Sequence, residues 1–278
     1  MEKRTALLEK YYNKFNEEHR LTTRHGFVDF TTTLKYIHDF LPKDKDSSQI
    51  KILDIGAGTG RYSVSLVSEG YDVTAVELVK RNIETLRAKH TPVKTWQGNA
   101  TNLHFLPDET FDITLMLGPM YHINDEESKL KAFAEAKRVT KKGGFIFVAY
   151  VMNEYSVISY CFKENKIKEC LQKGTITQDF HTISDENELY NYVRLEDINR
   201  LNELAQNKRV KIIAADGPSD YMRRELNAMD EETFELFVQY HLATCERPEL
   251  MGATSHTVDI LQNVLCFFSS QFVFFPFI

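Results

Sequence analysis

Three closely spaced glycines mark the part of the sequence best suited to hold a ligand. Gly56, Gly58 and Gly60 follow an apolar, β-rich run at residues 50–55, and a helical pattern begins directly afterwards. A glycine-rich turn between a strand and a helix lets a ligand approach the backbone, and the helix N-terminus supplies partial positive charge. Asp54 adds a carboxylate two residues before the turn. The pattern predicts a nucleotide-type site.

A second carboxylate, Glu77, lies twenty-one residues after Gly56, at the predicted end of the next strand. An acid at this position can accept hydrogen bonds from both hydroxyls of a ribose. The dinucleotide fingerprint G-x-G-x-x-G fits Gly56 and Gly58, but its third glycine would fall on Arg61. An NAD-dependent oxidoreductase is therefore one alternative for this site, although the glycine spacing departs from its fingerprint.

The segments that position these residues alternate between strands and helices. Strands are predicted at residues 50–55, 71–77, 93–97, 111–117, 145–151, 209–215 and 256–261, and helices at 61–70, 78–90 and from 124 to the Gly143-Gly144 pair. Asn124 and Glu127 fit a capping box at the start of the last of these helices. Strand–helix alternation at this spacing predicts a parallel sheet with right-handed crossovers.

The motif ILDIGAGTGRYS at residues 52–63 resembles the first motif of the class I S-adenosylmethionine (SAM) methyltransferases. Later segments resemble the same family in order and spacing: Glu77, Gly98-Asn99-Ala100, residues 111–117 and residues 138–150. The resemblance extends over residues 48–151. Two further stretches, LGPMYHI at 117–123 and the CERPEL–GA–SH pattern at 245–256, resemble a smaller bacterial group that methylates small molecules.

The resemblance implies an α/β fold with a doubly wound, mostly parallel, Rossmann-like sheet of seven strands, and a methyltransferase that uses S-adenosyl-L-methionine. The glycine loop would hold the methionine part, Asp54 its amino end, Glu77 the ribose and Asn99-Ala100 the adenine. The residues predicted to bind the cofactor are Asp54, Gly56, Ala57, Gly58, Gly60, Glu77, Leu78, Asn99, Ala100 and Leu117. A SAM-binding regulator without turnover is a further alternative.

Two positions depart from the family pattern. Asn99 replaces the usual aspartate, so adenine N6 would be held by an amide oxygen rather than by a carboxylate. Gly118-Pro119-Met120-Tyr121 stands where amino-methylating DNA enzymes carry Asn/Asp-Pro-Pro-Tyr. The missing Asn or Asp makes methylation of DNA bases a poor fit.

Tyr121 and His122, just past the fourth strand, are the predicted catalytic residues, because that position faces the methyl group in an open α/β site. Tyr121 would lay its ring against the sulfonium, and His122 would accept a proton if the acceptor arrives protonated. The alternative is that Tyr121 only lines the pocket and His122 only caps the following turn.

Further residues have both a functional and a structural interpretation. Near the N-terminus, Tyr11, Tyr12, Arg20 and Arg24 are candidates for a flap over the cofactor, with an arginine on its carboxylate, or else ordinary helix residues. Farther along the chain, the residues that could meet the substrate are Tyr150, His181, Tyr221, Arg223, His241 and Arg247, for which a structural role is the alternative.

The net charge of −6 is concentrated in one segment. Between residues 215 and 250, nine acidic residues accompany three arginines, which leaves the rest of the chain near neutral. Proteins that bind polyanions need clustered Lys and Arg, so we expect no nucleic acid as substrate. The run Asp230-Glu231-Glu232 fits the start of a helix, where negative charge suits the dipole; repulsion of anionic substrates is the alternative.

Composition and cysteine usage indicate a globular protein of one to two domains in a reducing compartment. The 278 residues are 42% hydrophobic and 27% charged, which is close to the globular average. The four cysteines form no CxxC pair, and the start is too charged for a signal peptide, so we expect a cytoplasmic protein. No metal-ligand spacing and no membrane-spanning segment are visible. The expected partner is a small-molecule substrate, and the sequence gives no oligomeric state.

The chain divides into five predicted segments: 1–47, a helical flap; 48–151, the SAM-binding α/β core; 152–207, a helical cap inserted after strand five; 208–263, the end of the sheet with an acidic helical insertion; and 264–278, an apolar tail. The tail holds six phenylalanines and no charge. It is too short for a membrane span and lacks the basic face of an interfacial anchor. We interpret it as a non-native extension, with a hydrophobic partner site as the alternative.

Overall fold

The computed structural model of the protein describes residues 2–12, 23–185 and 187–264. Of the predicted features, Arg20 and the apolar tail beyond Val264 lie outside these residues.

One eight-stranded sheet organises the described residues. Its strands are β1 (Lys51–Ile55), β2 (Asp72–Glu77), β3 (Lys94–Gln97), β4 (Phe111–Met116), β5 (Thr140–Met152), β6 (Tyr192–Val193), β7 (Lys208–Ala214) and β8 (His256–Gln262). The main path runs β3-β2-β1-β4-β5-β8-β7. All pairs are parallel except those of β8, which is antiparallel to both β5 and β7. The predicted doubly wound, mostly parallel sheet is confirmed.

The strand β6 was not predicted, so the sheet has one strand more than the seven expected. β5 extends past its last pair with β4, which joins Met116 to Val148. β6 pairs with this extension through Tyr192 and Val193. Two residues are too few to show a period in the sequence, and this is why the pairing was missed.

Eleven α-helices accompany the sheet in the described part of the chain. They are α1 (Glu2–Tyr12), α2 (Arg24–Phe40), α3 (Arg61–Ser68), α4 (Lys80–Arg87), α5 (Glu126–Val139), α6 (Asn153–Ser156), α7 (Ile167–Lys173), α8 (Leu195–Leu204), α9 (Arg223–Ala228), α10 (Glu231–Thr244) and α11 (Pro248–Met251). A π-helical segment, Val157–Phe162, continues α6. The chain from 152 to 207 thus contains three α-helices, but also β6 and an irregular stretch before it.

The start and the end of α5 differ from the prediction. Asp125, rather than Asn124, is the N-cap, and its carboxylate accepts a hydrogen bond from the Ser128 N–H at 2.7 Å. The side-chain amide of Asn124 donates instead to carbonyl oxygens of the loop near residue 185. α5 ends before the predicted glycine stop, and Gly143-Gly144 lies inside β5.

Successive residues of the central strands face opposite layers of helices. Ile52 packs in a cluster with side chains of α2 and α3, whereas its neighbour Leu53 packs in a cluster with side chains of α5 and α8. This alternation is the normal strand geometry, and burial on both faces explains the apolar strand sequences. None of the helices in the described ranges is long and apolar enough to cross a membrane.

The sheet topology decides which residues meet at the functional edge. The parallel strands all end at the same edge of the sheet. Because β8 runs in the opposite direction, its first residue, His256, lies at that edge as well, opposite Val151 near the end of β5. Residues just after β1, β2, β3, β4 and β7 and residues at the start of β8 are therefore neighbours.

Candidate cofactor and acceptor site

A cavity of about 550 Å³ opens at this edge of the sheet. Its volume is within the range of small-molecule sites, and open α/β sheets bind ligands outside the carboxyl ends of their strands. It contains nine of the ten residues that were predicted to bind the cofactor, and both of those predicted to be catalytic: Asp54, Gly56, Ala57, Gly58, Glu77, Leu78, Asn99, Ala100, Leu117, Tyr121 and His122.

The tenth residue, Gly60, shapes the loop without lining the cavity. It is the N-cap of α3 and has a left-handed backbone with φ of 85°. A Cβ added there would lie 2.3 Å from Cδ1 of Leu86 on α4. Both the backbone conformation and the close packing of the loop on α4 therefore require glycine.

Glu77 at the end of β2 is fixed by two backbone groups. The Gly58 N–H donates to Oε2 at 2.8 Å and the Val79 N–H donates to Oε1 at 2.7 Å. The side chain is buried, so these charge-assisted bonds offset part of the cost of desolvating a carboxylate. They hold the carboxylate against the glycine loop in one orientation.

Asp54 lies deeper, at the end of β1, and is fully buried. Burial raises its pKa to about 6, the nearby charge of Glu77 also raises it, and hydrogen bonds from Ser63 oppose the rise. The Ser63 hydroxyl donates to Oδ2 at 2.6 Å. A cation placed beside such a buried carboxyl group stabilises its ionised form.

Asn99 lines the cavity, but its amide oxygen is used within its own turn. Oδ1 accepts from both the N–H and the hydroxyl of Thr101, each at 3.0 Å. The predicted contact of this oxygen with adenine N6 is therefore not supported by the geometry. The Nδ2 group is a donor, so this side chain can donate a hydrogen bond to a ring nitrogen of a purine.

His122 has a partner at each ring nitrogen. Its Nδ1–H donates to the Leu189 carbonyl at 3.0 Å, and Nε2 lies 2.7 Å from the Tyr12 hydroxyl, which donates to it. The Tyr121 ring is buried against the His122 ring with centroids 4.7 Å apart. This geometry favours a positioning role for His122, which joins α1 and the loop before β6 to the cavity wall.

The N-terminal helix α1 contributes to the wall of the cavity. Tyr12 and Leu8 line it, and the ring of Tyr11 packs against that of Tyr190 with centroids 6.4 Å apart. Arg24 points elsewhere: its guanidinium donates to the carbonyl oxygens of Leu226 and Met229 and pairs with Glu231. The interpretation of Arg24 as a cofactor ligand is therefore wrong, because it ties α2 to the acidic helices.

The six predicted substrate residues in the second half of the chain do not line the cavity. Three of them show the reason clearly. Tyr150 is fully buried, His181 bonds Asp197 at 2.9 Å, and His241 is buried beside the Ala215 carbonyl. The others have structural contacts as well: Tyr221 with Ala253, Arg223 with Asp220 and Arg247 with Glu249. The structural interpretation fits all six.

The cavity is also lined by residues that no sequence motif had indicated as site residues. Asp29 and Thr33 from α2, Arg61 and Tyr62 from α3, and His256 from β8 line it. His256 belongs to the CERPEL–GA–SH pattern, which was noted without a role.

One cluster of potential metal ligands is found among the described residues, although no metal-ligand spacing is visible in the sequence. Side-chain atoms of Asp29, Asp216 and His256 lie within 4.8 Å of one another. The three residues are far apart in sequence, so no local spacing could show the cluster. Asp216 Oδ1 already accepts three hydrogen bonds, from the Thr254 hydroxyl and from the N–H groups of Ser255 and His256. We therefore describe the group as a hydrogen-bonded network and not as a set of metal ligands.

The described lining of the cavity is acidic. It includes five carboxylates and one guanidinium: Asp29, Asp54, Glu77, Asp125, Asp185 and Arg61. A concave site lined mainly by one sign of charge concentrates ligands of the opposite sign. The cavity therefore suits a ligand that carries positive charge.

Comparison with known sequences gives a family for the core of the chain. Residues 53–148 match the family described as "Methyltransferase domain". Among curated proteins, the ubiquinone biosynthesis O-methyltransferase of Pelagibacter ubique is 32% identical over 108 residues, which cover 38% of this chain and 44% of that protein. The demethylmenaquinone methyltransferase of Renibacterium salmoninarum is 32% identical over 99 residues, 36% of this chain and 40% of that protein. Each match spans less than half of the relative.

Solved structures resemble the chain over a much larger share of its length. A SAM-dependent methyltransferase of Thermotoga maritima, described as a possible histamine N-methyltransferase, has 22% identity and a TM-score of 0.55, covering 94% of this chain and 99% of that one. A SAM-dependent methyltransferase of Methanosarcina mazei has 17% identity and a TM-score of 0.54, covering 83% and 97%. At these identities the likeness is one of fold.

The sheet order, the antiparallel β8 and the glycine loop define a Rossmann-like methyltransferase fold. Together with the family match, they show that residues 53–148 belong to a methyltransferase domain and that the chain has the fold of the SAM-dependent methyltransferases.

Proposed function

We propose that the protein transfers a methyl group from SAM to a small-molecule acceptor, and that both bind in the cavity at the sheet edge. The observation that carries this proposal is that one acidic cavity joins the Glu77 and glycine-loop site to the aromatic wall of Tyr12 and Tyr121. SAM supplies an electrophilic methyl group on a positively charged sulfur. The protein's contribution is to bind, orient and exclude water.

The cofactor half of the cavity is proposed to hold SAM in three places. Glu77 accepts from the ribose hydroxyls, and Asp54 stabilises the ammonium group. Arg61, whose guanidinium stacks 4.6 Å from the centroid of Phe30, lies at the first turn of α3 and is suited to the carboxylate. Asn99 and Ala100 contact the adenine, with Asn99 acting as a donor.

The acceptor half is proposed to hold a small organic molecule. Its walls come from α1, from the loop after β4 and from β8, so the acceptor would be enclosed between helix and sheet. Curated relatives named for ubiquinone biosynthesis and for demethylmenaquinone act on small organic molecules, which supports this class of acceptor. We expect no nucleic acid substrate and no requirement for a metal, since the sulfonium itself activates the methyl group.

The NAD-dependent alternative has less support. The dinucleotide fold has six parallel strands in the order 3-2-1-4-5-6. Here the strand next to β5 on the main path is antiparallel, and Arg61 occupies the third glycine position of the fingerprint.

The proposal is tested by supplying the protein with SAM labelled on the methyl group together with an extract separated into small molecules, protein and nucleic acid. We expect enzyme-dependent label in the small-molecule fraction, and its loss with the Glu77→Gln protein. Label that appears only in protein or nucleic acid would contradict a small-molecule acceptor. Binding of SAM with no label in any fraction would support a regulator without turnover.

A further inference from the structure

Two cysteines meet in the segment that follows β5. Cys161 lies in the π-helical segment Val157–Phe162, and Cys170 lies in α7. Both are free thiols, and the Cys161 thiol donates to the sulfur of Cys170, with the two Sγ atoms 3.8 Å apart. The sulfur atoms of a disulfide are about 2.05 Å apart, so an approach of about 1.8 Å between the two side chains would join them.

The two thiols are shielded from solvent by a small apolar cluster of their own. Val157 and Ile176 are its other buried members, and Ile167 packs against them. This cluster is separate from the two larger clusters on the faces of the sheet. Burial raises the pKa of the Cys161 thiol to about 11. The reactive thiolate is therefore scarce while the cluster is closed.

The small size of this cluster allows it to open while the sheet stays folded. Four large apolar side chains beside the cysteines are exposed rather than packed: Ile158, Tyr160, Phe162 and Leu171. A region with few buried apolar contacts opens at a lower free energy than the core of the same protein. We therefore expect the two thiols to become accessible by local opening of this segment.

Backbone hydrogen bonds connect the cysteine segment to the rim of the cavity. The Cys170 carbonyl accepts from the Thr175 N–H at 3.1 Å, and the Thr175 carbonyl accepts from the Ile183 N–H at 2.9 Å. The next two residues of the chain, Ser184 and Asp185, line the cavity. A covalent restraint on α7 would therefore also restrain this part of the cavity wall.

We propose that Cys161 and Cys170 form a redox modification site, at which a small-molecule disulfide such as oxidised glutathione converts them into an intramolecular disulfide that restrains the chain up to the cavity rim. In a reducing compartment, as expected from the sequence, the resting form is the dithiol, and a disulfide formed there is transient. The modification itself involves no methyl transfer, so it goes beyond the function proposed above.

The reaction proceeds by two thiol–disulfide exchanges. The thiolate of one cysteine attacks a sulfur of oxidised glutathione, the glutathione S–S bond breaks, and the released glutathione thiolate takes up the proton that the cysteine lost. The thiolate of the second cysteine then attacks the protein sulfur of this mixed disulfide and releases the second glutathione in the same way. The two protein thiols lose two electrons, and oxidised glutathione gains them as two glutathione molecules.

The length of the closed loop sets the size of the expected effect. The disulfide would join positions nine residues apart. A cross-link removes conformational freedom from the open state, and for a loop of this length the entropic model gives an opening that is about 10- to 100-fold less frequent.

The first test detects the disulfide in the folded 278-residue chain that carries Cys266→Ser, because Cys266 lies outside the described residues and could exchange as well. After incubation with oxidised glutathione, we expect peptide mapping by mass spectrometry to find a Cys161–Cys170 disulfide that dithiothreitol reverses. Cys245→Ser is the matched control, because it removes another buried thiol, whose sulfur lies 3.3 Å from the Tyr36 hydroxyl. This variant should still form the disulfide.

Two results of the first test would overturn the proposal. One is a stable glutathione adduct on each of the two cysteines without a bond between them. The other is a pair of reduced thiols that persists after hydrogen exchange shows that residues 157–176 have opened.

The second test compares hydrogen exchange in the reduced and oxidised proteins. We expect oxidation to slow exchange in residues 157–185 by about 10- to 100-fold. Cys161→Ser should show no such response to oxidised glutathione. Slower exchange confined to residues 161–170, in a protein that mass spectrometry shows to be oxidised, would contradict the restraint on the cavity rim.

Discussion

The two halves of the cavity are built in different ways. In the cofactor half, at the ends of β1, β2 and β3, the fixing contacts join residues close in sequence: Gly58 and Glu77 are 19 residues apart, and Asp54 and Ser63 are 9 apart. In the acceptor half, Tyr12 and His122 are 110 residues apart, and Asp216 and His256 are 40 apart.

Because of this difference, substitutions in the two halves should have different effects. The contacts of the cofactor half lie within neighbouring βα units, so this half is recognisable from local motifs. The acceptor half is assembled from α1, the loop after β4 and the β7–β8 pair, so it depends on the whole fold. Changes in the first half should abolish cofactor binding, and changes in the second should alter turnover while binding persists.

The largest effect is expected from Gly60→Ala. A positive φ costs a non-glycine residue about 1–3 kcal/mol, and the new Cβ would also clash with Leu86. We expect lower thermal stability and loss of measurable S-adenosylhomocysteine binding by calorimetry. Gly143→Ala is the matched control, because its φ is also positive at 81° but nothing lies within 4 Å of the added Cβ. Normal binding by Gly60→Ala would contradict the importance of this packing.

The next largest effect is expected from Glu77→Gln. The amide keeps one oxygen but turns an NH₂ group toward a backbone N–H, either that of Gly58 or that of Val79, and it loses the charge that favours the ribose hydroxyls. Hydrogen bonds to charged groups contribute about 1.5–3 kcal/mol, so S-adenosylhomocysteine affinity should fall about 10- to 150-fold. Glu84→Gln on the exposed face of α4 is the control. An unchanged affinity in Glu77→Gln would show that Glu77 does not bind S-adenosylhomocysteine.

A smaller, pH-dependent effect is expected from Asp54. Its pKa of about 6 means that the free protein loses the Asp54 charge as the pH falls through 6. The affinity for S-adenosylhomocysteine, whose ammonium group needs that charge, should therefore decline by up to about tenfold per pH unit below this point. Asp54→Asn should bind more weakly and lack this dependence. A wild-type affinity that is constant from pH 5 to about 8 would contradict the assignment.

The same carboxylate makes a prediction about stability without ligand. Because the pKa of Asp54 is raised from 3.8 to about 6 in the folded state, the native protein binds more protons than the unfolded chain between these values. The Asp54 contribution to the free energy of unfolding should therefore decrease as the pH rises through that window, by at most about 3 kcal/mol. Denaturant titrations of wild type and Asp54→Asn at several pH values measure it.

The smallest effect is expected from Tyr12→Phe in the acceptor half. It removes the hydroxyl that donates to His122 but keeps the ring, at a cost of about 0.5–1.5 kcal/mol. We expect faster hydrogen exchange in α1 and a several-fold change in the KM of the acceptor, with S-adenosylhomocysteine affinity unaffected. Tyr240→Phe, at an exposed position on α10, is the control. An equal loss of cofactor affinity in Tyr12→Phe would show that the two halves are not separable.

The same comparison explains which features the sequence could predict. The glycine loop, Glu77 and the order of strands and helices were predictable, because each depends on spacing within one βα unit. The use of the Asn99 amide oxygen within its own turn was not predictable, since the bonds to Thr101 depend on the local turn conformation. The two interpretations of Arg24 could not be separated from the sequence, because its partners, Leu226, Met229 and Glu231, lie about 200 residues away.

The features that were not predicted have two causes. The Asp29, Asp216 and His256 network forms only when the antiparallel β8 brings its first residue to the carboxyl edge, and β8 was predicted without a direction. Strand β6 was missed because two residues carry no period. The helical cap, the domain boundaries and the apolar tail stay predictions.

The most direct test of the central claim is a calorimetric titration of the wild-type protein with S-adenosylhomocysteine, with NAD as the competing ligand. The account predicts saturable binding of one S-adenosylhomocysteine per chain that a large excess of NAD does not displace. Saturable binding of NAD, with no heat from S-adenosylhomocysteine, would contradict it.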